Sequence, residues 1–133
     1  MAAKKNKAIL CVDDDPMILM SLKLQLTQSF DGQFIIETAE SGEEALELID
    51  FLGGRDIDTL LIISDWLMPK MKGDELLVKI KDRFPKVGQI MLSGQAQNEA
   101  VQNAFKNSNL KYFISKPWNK QDLIDKVNEI LKS

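Results

Sequence analysis

The chain has 133 residues, of which 44% are hydrophobic and 28% charged, and this supplies enough apolar material for the core of one domain. Its net charge of −3 argues against nucleic acid as a direct partner, and no apolar run near its start is long enough for a signal peptide or a membrane span. The absence of histidine excludes a Ser-His-Asp triad, a His-ligated metal site and a phosphohistidine within this chain.

Five strand-like runs alternate with five helical patterns along the chain. We expect residues 1–6 to be a flexible, solvated tail and residues 7–133 to form the domain. The predicted strands are Lys7–Val12, Gln33–Thr38, Thr59–Ser64, Val87–Leu92 and Lys111–Ile114. The predicted helices begin at Pro16 and after Ser41, and the remaining three span Asp74–Phe84, Gln97–Asn107 and Asn119–Leu131.

Polar residues mark the starts of the first two helices. Asp15 is a natural N-cap, because Pro16 follows it at the first helical position. Ser41 and Glu44 have the spacing of a capping box. The lone Cys11 lies inside the apolar run AILCV, where we expect a small buried side chain that stays reduced in the cytoplasm.

The alternation of strands and helices predicts an α/β fold with helices on both faces of a parallel sheet. Thr59–Ser64 is apolar without alternation, as a strand covered on both faces should be. We therefore expect a doubly wound, five-stranded, flavodoxin-like sheet in a three-layer sandwich. Strand order 2-1-3-4-5 is a common solution for such a sheet.

Acidic residues follow two of the predicted strands. In that order the crevice between strands one and three is the usual ligand site, and Asp13, Asp14 and Asp65 would converge there. Two unit charges about 4 Å apart repel by about 4 kcal/mol at an effective dielectric constant near 20, so a cation must compensate them or some must be protonated. Oxygen ligands alone select a hard ion, Mg²⁺ or Mn²⁺. We assign Asp15 to helix capping instead.

Strands four and five add a hydroxyl and an ammonium group at matching positions. Ser93 ends the run IMLS, and Lys116 follows the fifth strand. Taken alone, Ser93 would be a turn residue and Lys116 a surface lysine. Together with a carboxylate nucleophile and a hard cation, they form a set suited to phosphoryl transfer.

At this point the chain resembles the receiver domains of two-component response regulators, including the chemotaxis regulators. The resemblance rests on VDDD around Asp13, DWLMPKMKG from Asp65, LSG at Ser93 and SKPW at Lys116, and it covers essentially the whole chain. It implies a signalling domain that is not a conventional enzyme. A histidine kinase or a histidine phosphotransfer protein would donate a phosphoryl group to Asp65.

The resemblance also implies a role for each site residue. Asp14 and Asp65 would bind the metal directly, Asp13 would bind it mostly through water, and the backbone carbonyl of Leu67 would complete the protein ligands. Ser93 and Lys116 would each contact a phosphoryl oxygen, and a cis peptide bond would precede Pro117.

Further expectations concern switching and signal lifetime. By resemblance, Ser93 and Phe113 would rearrange on phosphorylation and alter the surface formed by helix four, strand five and helix five. Leu67 and Gln95 would flank the attacking water, and because the apolar Leu67 cannot orient water we expect slow dephosphorylation. Phe113 would otherwise be an ordinary packing residue.

The sequence has two tryptophans near the predicted site, Trp66 and Trp118. We expect Trp66 to be a partly exposed wall of the site that serves packing more than recognition, and Trp118 to anchor the start of helix five. The output partner, or an effector domain in a longer protein, is unknown from the sequence. The resemblance also allows a dimer that forms on phosphorylation.

Three alternatives share some of these features. A phosphatase of the haloacid dehalogenase type would use Asp13 and Asp15 as its acidic pair, would need Asp122 and Asp125 at the site, and would leave Asp65 idle. A pseudo-receiver would have lost the acceptor or the acids, which this chain retains. A flavin mononucleotide carrier is disfavoured, because its phosphate would lie beside Asp13 and Asp14.

Overall fold

The structure is a computed structural model that describes residues 6–94 and 98–132. Its strands are β1 Lys7–Val12, β2 Ile35–Ala39, β3 Asp58–Ser64, β4 Gly88–Ser93 and β5 Leu110–Ser115. Its helices are α1 Pro16–Ser29, α2 Gly42–Gly53, α3 Gly73–Arg83, α4 Asn98–Asn107 and α5 Lys120–Lys132. Strands and helices alternate throughout, as the sequence predicts.

The five strands form one parallel sheet in the order β2-β1-β3-β4-β5. This confirms the predicted doubly wound α/β fold. Side chains of α1 and α5 pack on one face of the sheet, and those of α2, α3 and α4 pack on the other. The reversal of strand order falls between β1 and β3, so the predicted crevice lies at their carboxyl ends.

Each inner strand contributes to both cores. In β1, Ile9 and Cys11 face α1 and α5, whereas Leu10 and Val12 face α2 to α4. All four side chains are at most 1% exposed. Burial on both faces explains why β1 and β3 are apolar without alternation.

Several predicted boundaries shift by one or two residues. Strands β2, β4 and β5 each end one residue later than predicted, because backbone pairing continues through polar or small residues such as Ser93 and Ser115. A hydrophobic pattern cannot show that the strand continues through such residues. The predicted tail lies outside the described residues except for Asn6, and so does Gln97, the predicted start of the fourth helix.

The helix-start signals are confirmed in the first half of the chain. The Asp15 carboxylate accepts a hydrogen bond from the Met17 N–H at 2.9 Å, and the Ser41 hydroxyl accepts one from the Glu44 N–H at 3.1 Å. Asp15 therefore acts as the predicted cap. Within the described part of the chain, no helix combines the length and the apolar character that crossing a membrane requires.

Cys11 provides a test of the packed core. Its side chain is fully buried, and burial raises the pKa of the thiol from 9.0 to about 12. At pH 8 this corresponds to a thiolate fraction about a thousandfold smaller than that of an unperturbed thiol. We expect a disulfide reagent to label the native protein at least that much more slowly than the urea-unfolded protein. Fast labelling of the native chain, absent in Cys11→Ala, would contradict the packing.

Candidate functional site

The pairing of β1 with β3 sets the position of two acids. Val12 pairs with Ser64, so the residues that follow them lie side by side at the edge of the sheet. The Asp65 N–H donates to the Val12 carbonyl at 2.9 Å, and the Asp13 N–H donates to the Ala39 carbonyl at 3.1 Å. Both backbones are thus held by continuations of the parallel ladders.

Three carboxylates converge at this edge. Asp13, Asp14 and Asp65 each offer an oxygen, and these oxygens all lie within 4.8 Å of one another. Asp13 and Asp65 are buried, at 1% and 7% exposed, whereas Asp14 is exposed. The donor set contains oxygen only, which fits a hard divalent ion that keeps several water ligands. The sequence-predicted cluster is therefore present as a geometric unit.

Lys116 lies among these acids. Its Nζ is 2.6 Å from Asp13 Oδ2 and 3.6 Å from Asp65 Oδ2. Its backbone N–H donates to the Ser93 carbonyl at 3.3 Å, which fixes the residue against the end of β4. The peptide bond between Lys116 and Pro117 is cis, as expected. The ammonium group thus partly compensates the negative charge of two buried carboxylates.

The electrostatics of Asp13 reflect opposing effects. Burial raises the pKa of its carboxyl group, and the charge of Asp65 acts in the same direction. Hydrogen bonds from the Lys116 ammonium and the Asp15 N–H lower that pKa. A buried carboxylate stays ionised more easily when cations and donors surround it. Lys116 is the cation that serves this purpose among the described residues.

An open cleft of about 540 Å³ lies over the acids. It is lined by the three acids and Lys116 together with Asp15, Leu67, Met68, Pro69, Ser93 and Gly94. Ser93 is 2% exposed and forms part of the wall from the β4 side. The structure therefore brings together Asp13, Asp14, Asp65, Ser93 and Lys116 around one space.

The loop after β3 is held by short-range hydrogen bonds. The Ser64 hydroxyl donates to the Asp65 carbonyl at 2.9 Å, and the Trp66 N–H donates to Asp65 Oδ1 at 2.8 Å. The Gly73 N–H donates to the Trp66 carbonyl at 2.8 Å, which closes the loop onto the start of α3. Asp65 Oδ1 is thereby oriented by its neighbour, and Oδ2 lies on the Lys116 side.

The exposure predicted for Trp66 is wrong, whereas its predicted role in packing is confirmed. The side chain is not a partly exposed wall but is 7% exposed and packs in the core with α2 to α4. Its indole N–H donates to Asp74 Oδ1 at 3.0 Å. A buried tryptophan usually finds such a partner, and here the partner lies in the first turn of α3.

The other predicted residues have distinct surroundings. Leu67 is 44% exposed and lines the cleft, whereas Gln95 lies outside the described residues. Phe113 is half-buried against the core of α2 to α4. Trp118 packs against the opposite core and donates its indole N–H to Gln25 of α1 at 2.9 Å, consistent with the predicted anchor.

Ser64, Gly73 and Asp74 support the site and were not singled out in the sequence. No spacing rule connects Trp66 with Asp74, eight residues further on. Gly73 was visible only as the end of the motif DWLMPKMKG. A Cβ at Gly73 would lie 2.1 Å from the Asp65 carbonyl oxygen, so this position requires glycine for a close backbone approach.

Comparison with known proteins identifies the family. The sequence model of the response regulator receiver domain matches residues 9–128. The chain belongs to this family. A receiver domain is a signalling domain of two-component systems. The acids, Ser93 and Lys116 lie at the strand ends that carry the sequence resemblance to receivers.

Relatives of full receiver length match over nearly the whole chain. The chemotaxis protein CheY1 of Helicobacter pylori is 31% identical over 92% of this chain and 95% of its own length. A CheY-like receiver structure from Methanospirillum hungatei has 34% identity and a TM-score of 0.82, covering 95% of this chain and 94% of that chain. The chain spans only 25%, 13% and 32% of three longer curated relatives.

A receiver domain from an HD domain-containing protein of Pseudomonas fluorescens is also similar. It has 25% identity and a TM-score of 0.85, and the match covers 99% of this chain and 91% of that chain. Similarity therefore extends to receivers that occur in different proteins.

The phosphatase alternative does not fit this geometry. Asp15 caps α1, Asp122 pairs with Lys126, and Asp125 accepts a hydrogen bond from Gln121 on the outer side of α5. None of these interactions supplies a second acidic pair to the cleft, and the family match assigns the chain to the receivers.

The close approach at Gly73 predicts the effect of one methyl group. Gly73→Ala must displace the backbone of Asp65 or Trp66, and we expect the free energy of unfolding to fall by about 1–3 kcal/mol. Gly53→Ala is the matched control, because nothing lies within 4 Å of its added Cβ and the residue is helical. It should be neutral or stabilising by up to about 1 kcal/mol. Urea unfolding measures both, and equal effects would contradict this account.

Proposed function

We propose that this receiver accepts a phosphoryl group on Asp65 from the phosphohistidine of a histidine kinase or a histidine phosphotransfer protein. The observation that carries the proposal is the position of the buried Asp65 carboxylate, which shares one cleft with Asp13, Asp14, Ser93 and Lys116. Since the chain has no histidine, the donor group must lie outside this chain.

The proposed step is an in-line displacement at phosphorus. An Asp65 carboxylate oxygen forms a new P–O bond while the P–N bond to the donor imidazole breaks, and the leaving nitrogen takes up a proton. The product is an acyl phosphate, whose added charge needs compensation. Lys116, 3.6 Å from Asp65 Oδ2, is placed to pair with a phosphoryl oxygen, and the Ser93 hydroxyl is proposed to donate to another.

A divalent cation, Mg²⁺ or Mn²⁺, fits the oxygen donors of the cleft. Asp14 and Asp65 would bind it directly, Asp13 mostly through water, and Leu67 through its backbone carbonyl. When bound, such an ion neutralises charge on the transferring phosphoryl group. The three carboxylates lie close enough to share one ion, and Lys116 already compensates part of their charge.

The response to phosphorylation is proposed to reach the surface of α4, β5 and α5. Ser93 ends β4, and Phe113 of β5 is half-buried against the core of α2 to α4. Movement of Ser93 toward the phosphoryl group would free space for Phe113 to turn inward. This would change the surface that an output partner contacts, or the surface through which a phosphorylation-dependent dimer forms.

We infer partners other than the phosphodonor from the longer relatives alone. Longer relatives include a hydrogenase transcriptional regulator and a sensor kinase. We propose either a docked output partner or an effector domain in a longer protein, in the cytoplasm, with no direct contact with nucleic acid or membrane. We propose that the receiver domain comprises residues 7–133.

Incubation with acetyl phosphate and Mg²⁺ tests the proposal directly. Attack by Asp65 would release acetate, and mass spectrometry should show one added phosphoryl group. Asp65→Asn should add none, because an amide is not a nucleophile of comparable strength, and chelation of the metal should slow the wild-type reaction by orders of magnitude. Addition to Asp65→Asn, or none to the wild type, would refute the proposal.

The side chain of Leu67 is expected to affect the lifetime of the acyl phosphate. Leu67 lines the cleft and has no polar atom to orient an attacking water, so we propose slow self-dephosphorylation. Leu67→Asn supplies a polar group at the same place and should shorten the half-life of the acyl phosphate severalfold. The decay of phosphorylated protein is followed by mass spectrometry without a phosphatase. A wild-type half-life of seconds, or no change in Leu67→Asn, would contradict this prediction.

A further inference from the structure

Trp66 connects the acceptor to the start of α3. Its backbone N–H donates to Asp65 Oδ1 at 2.8 Å, and its carbonyl accepts from the Gly73 N–H at 2.8 Å. Its indole N–H donates to Asp74 Oδ1 at 3.0 Å, and the ammonium group of Lys72 lies 5.0 Å from the ring centroid. One residue thus joins the carboxylate, the loop closure and the first turn of the next helix.

The hydrogen bond between the Trp66 indole and Asp74 takes no direct part in the proposed phosphoryl transfer. Trp66 is 7% exposed, so its indole N–H has little contact with water while Asp74 accepts its hydrogen bond. A buried donor without a partner costs about 1–3 kcal/mol, and a shift of the ring is the way to relieve it. Any such shift moves the peptide on either side of Trp66.

The peptide unit before Trp66 holds the N–H that orients Asp65 Oδ1. The unit after it joins Trp66 to Leu67, whose own carbonyl, one peptide unit further on, is a proposed metal ligand. We propose that Asp74 is a positioning residue which, through the Trp66 indole, sets the Mg²⁺ affinity of the site without contacting the metal. This inference rests on the proposed metal-dependent function.

A simpler explanation is that Asp74 acts by its charge. It lies in the first turn of α3, where a carboxylate favours the helix, and its negative charge would attract a cation at any nearby site. The chain offers a matched test, because Glu75 lies in the same turn, is exposed, and pairs with Lys79 instead of Trp66. If charge alone mattered, removing either acid would change the Mg²⁺ affinity by a similar amount.

Three variants separate acceptor from charge. Asp74→Ala removes both, and Asp74→Asn removes the charge but keeps a carbonyl oxygen for the indole N–H. Glu75→Ala removes a neighbouring charge together with its exposed pairing with Lys79. Loss of a partner that orients metal ligands typically weakens metal binding about 10–100-fold. We expect calorimetric titration to give about a tenfold weaker Mg²⁺ affinity for Asp74→Ala, and an affinity near wild type for the other two.

A second measurement needs no metal. In the metal-free wild type and in Asp74→Asn, the Trp66 indole N–H should exchange slowly with solvent by nuclear magnetic resonance, and Asp74→Ala should speed this exchange. The Trp118 indole, which donates to Gln25, is the internal reference. If Asp74→Ala does not fold, Trp66→Phe removes the donor while keeping a ring, and it should weaken Mg²⁺ binding to a similar extent.

The outcomes distinguish this inference from the function on which it rests. If wild-type protein binds no Mg²⁺ and accepts no phosphoryl group, the proposed function fails. If wild type does both, an unchanged Mg²⁺ affinity in Asp74→Ala, or equal weakening in Asp74→Ala and Asp74→Asn, overturns the positioning role. An effect on unfolding alone, with unchanged metal affinity, also overturns it.

Discussion

The parallel pairing of β1 with β3 is the constraint on which the rest of the site depends. Val12 lies opposite Ser64, and the next residues of both strands are acids. Because the strands are buried on both faces, a shift by one residue would turn every core side chain to the opposite face. The apolar packing that stabilises the sheet therefore also fixes Asp13 and Asp65 side by side at the carboxyl ends of their strands.

Holding two buried carboxylates side by side creates a charge that must be compensated from elsewhere. β5 lies two strands from β3, yet the chain that leaves it brings the Lys116 ammonium within 2.6 Å of Asp13 Oδ2. The bond from the Lys116 N–H to the Ser93 carbonyl ties this residue to the neighbouring strand end. The acids, the hydroxyl and the ammonium group thus meet because one parallel sheet ends at one edge.

This edge explains what could be predicted from the sequence. Apolar runs located the strands, and the polar residues that follow these runs made Asp13, Asp65, Ser93 and Lys116 candidates without knowledge of side-chain geometry. The burial of Trp66 could not be predicted in the same way, since it depends on Asp74 in the next helix. Exact strand ends were also missed, because backbone pairing continues through residues that carry no hydrophobic signal.

The strand ends and the loop of the site are therefore held in place by different interactions. The strand ends are held by ladders and by two cores, so the acids share the stability of the whole domain. The loop after Asp65 is held by hydrogen bonds of Trp66, Gly73 and Asp74 and by the buried side chains of Met68 and Met71. A substitution such as Asp74→Ala, which does not crowd the Asp65 backbone, can then alter how the backbone near Leu67 meets a metal while the strand ends that carry the acids stay in place. Such a division would let metal affinity and signal lifetime vary without a change in the proposed acceptor chemistry.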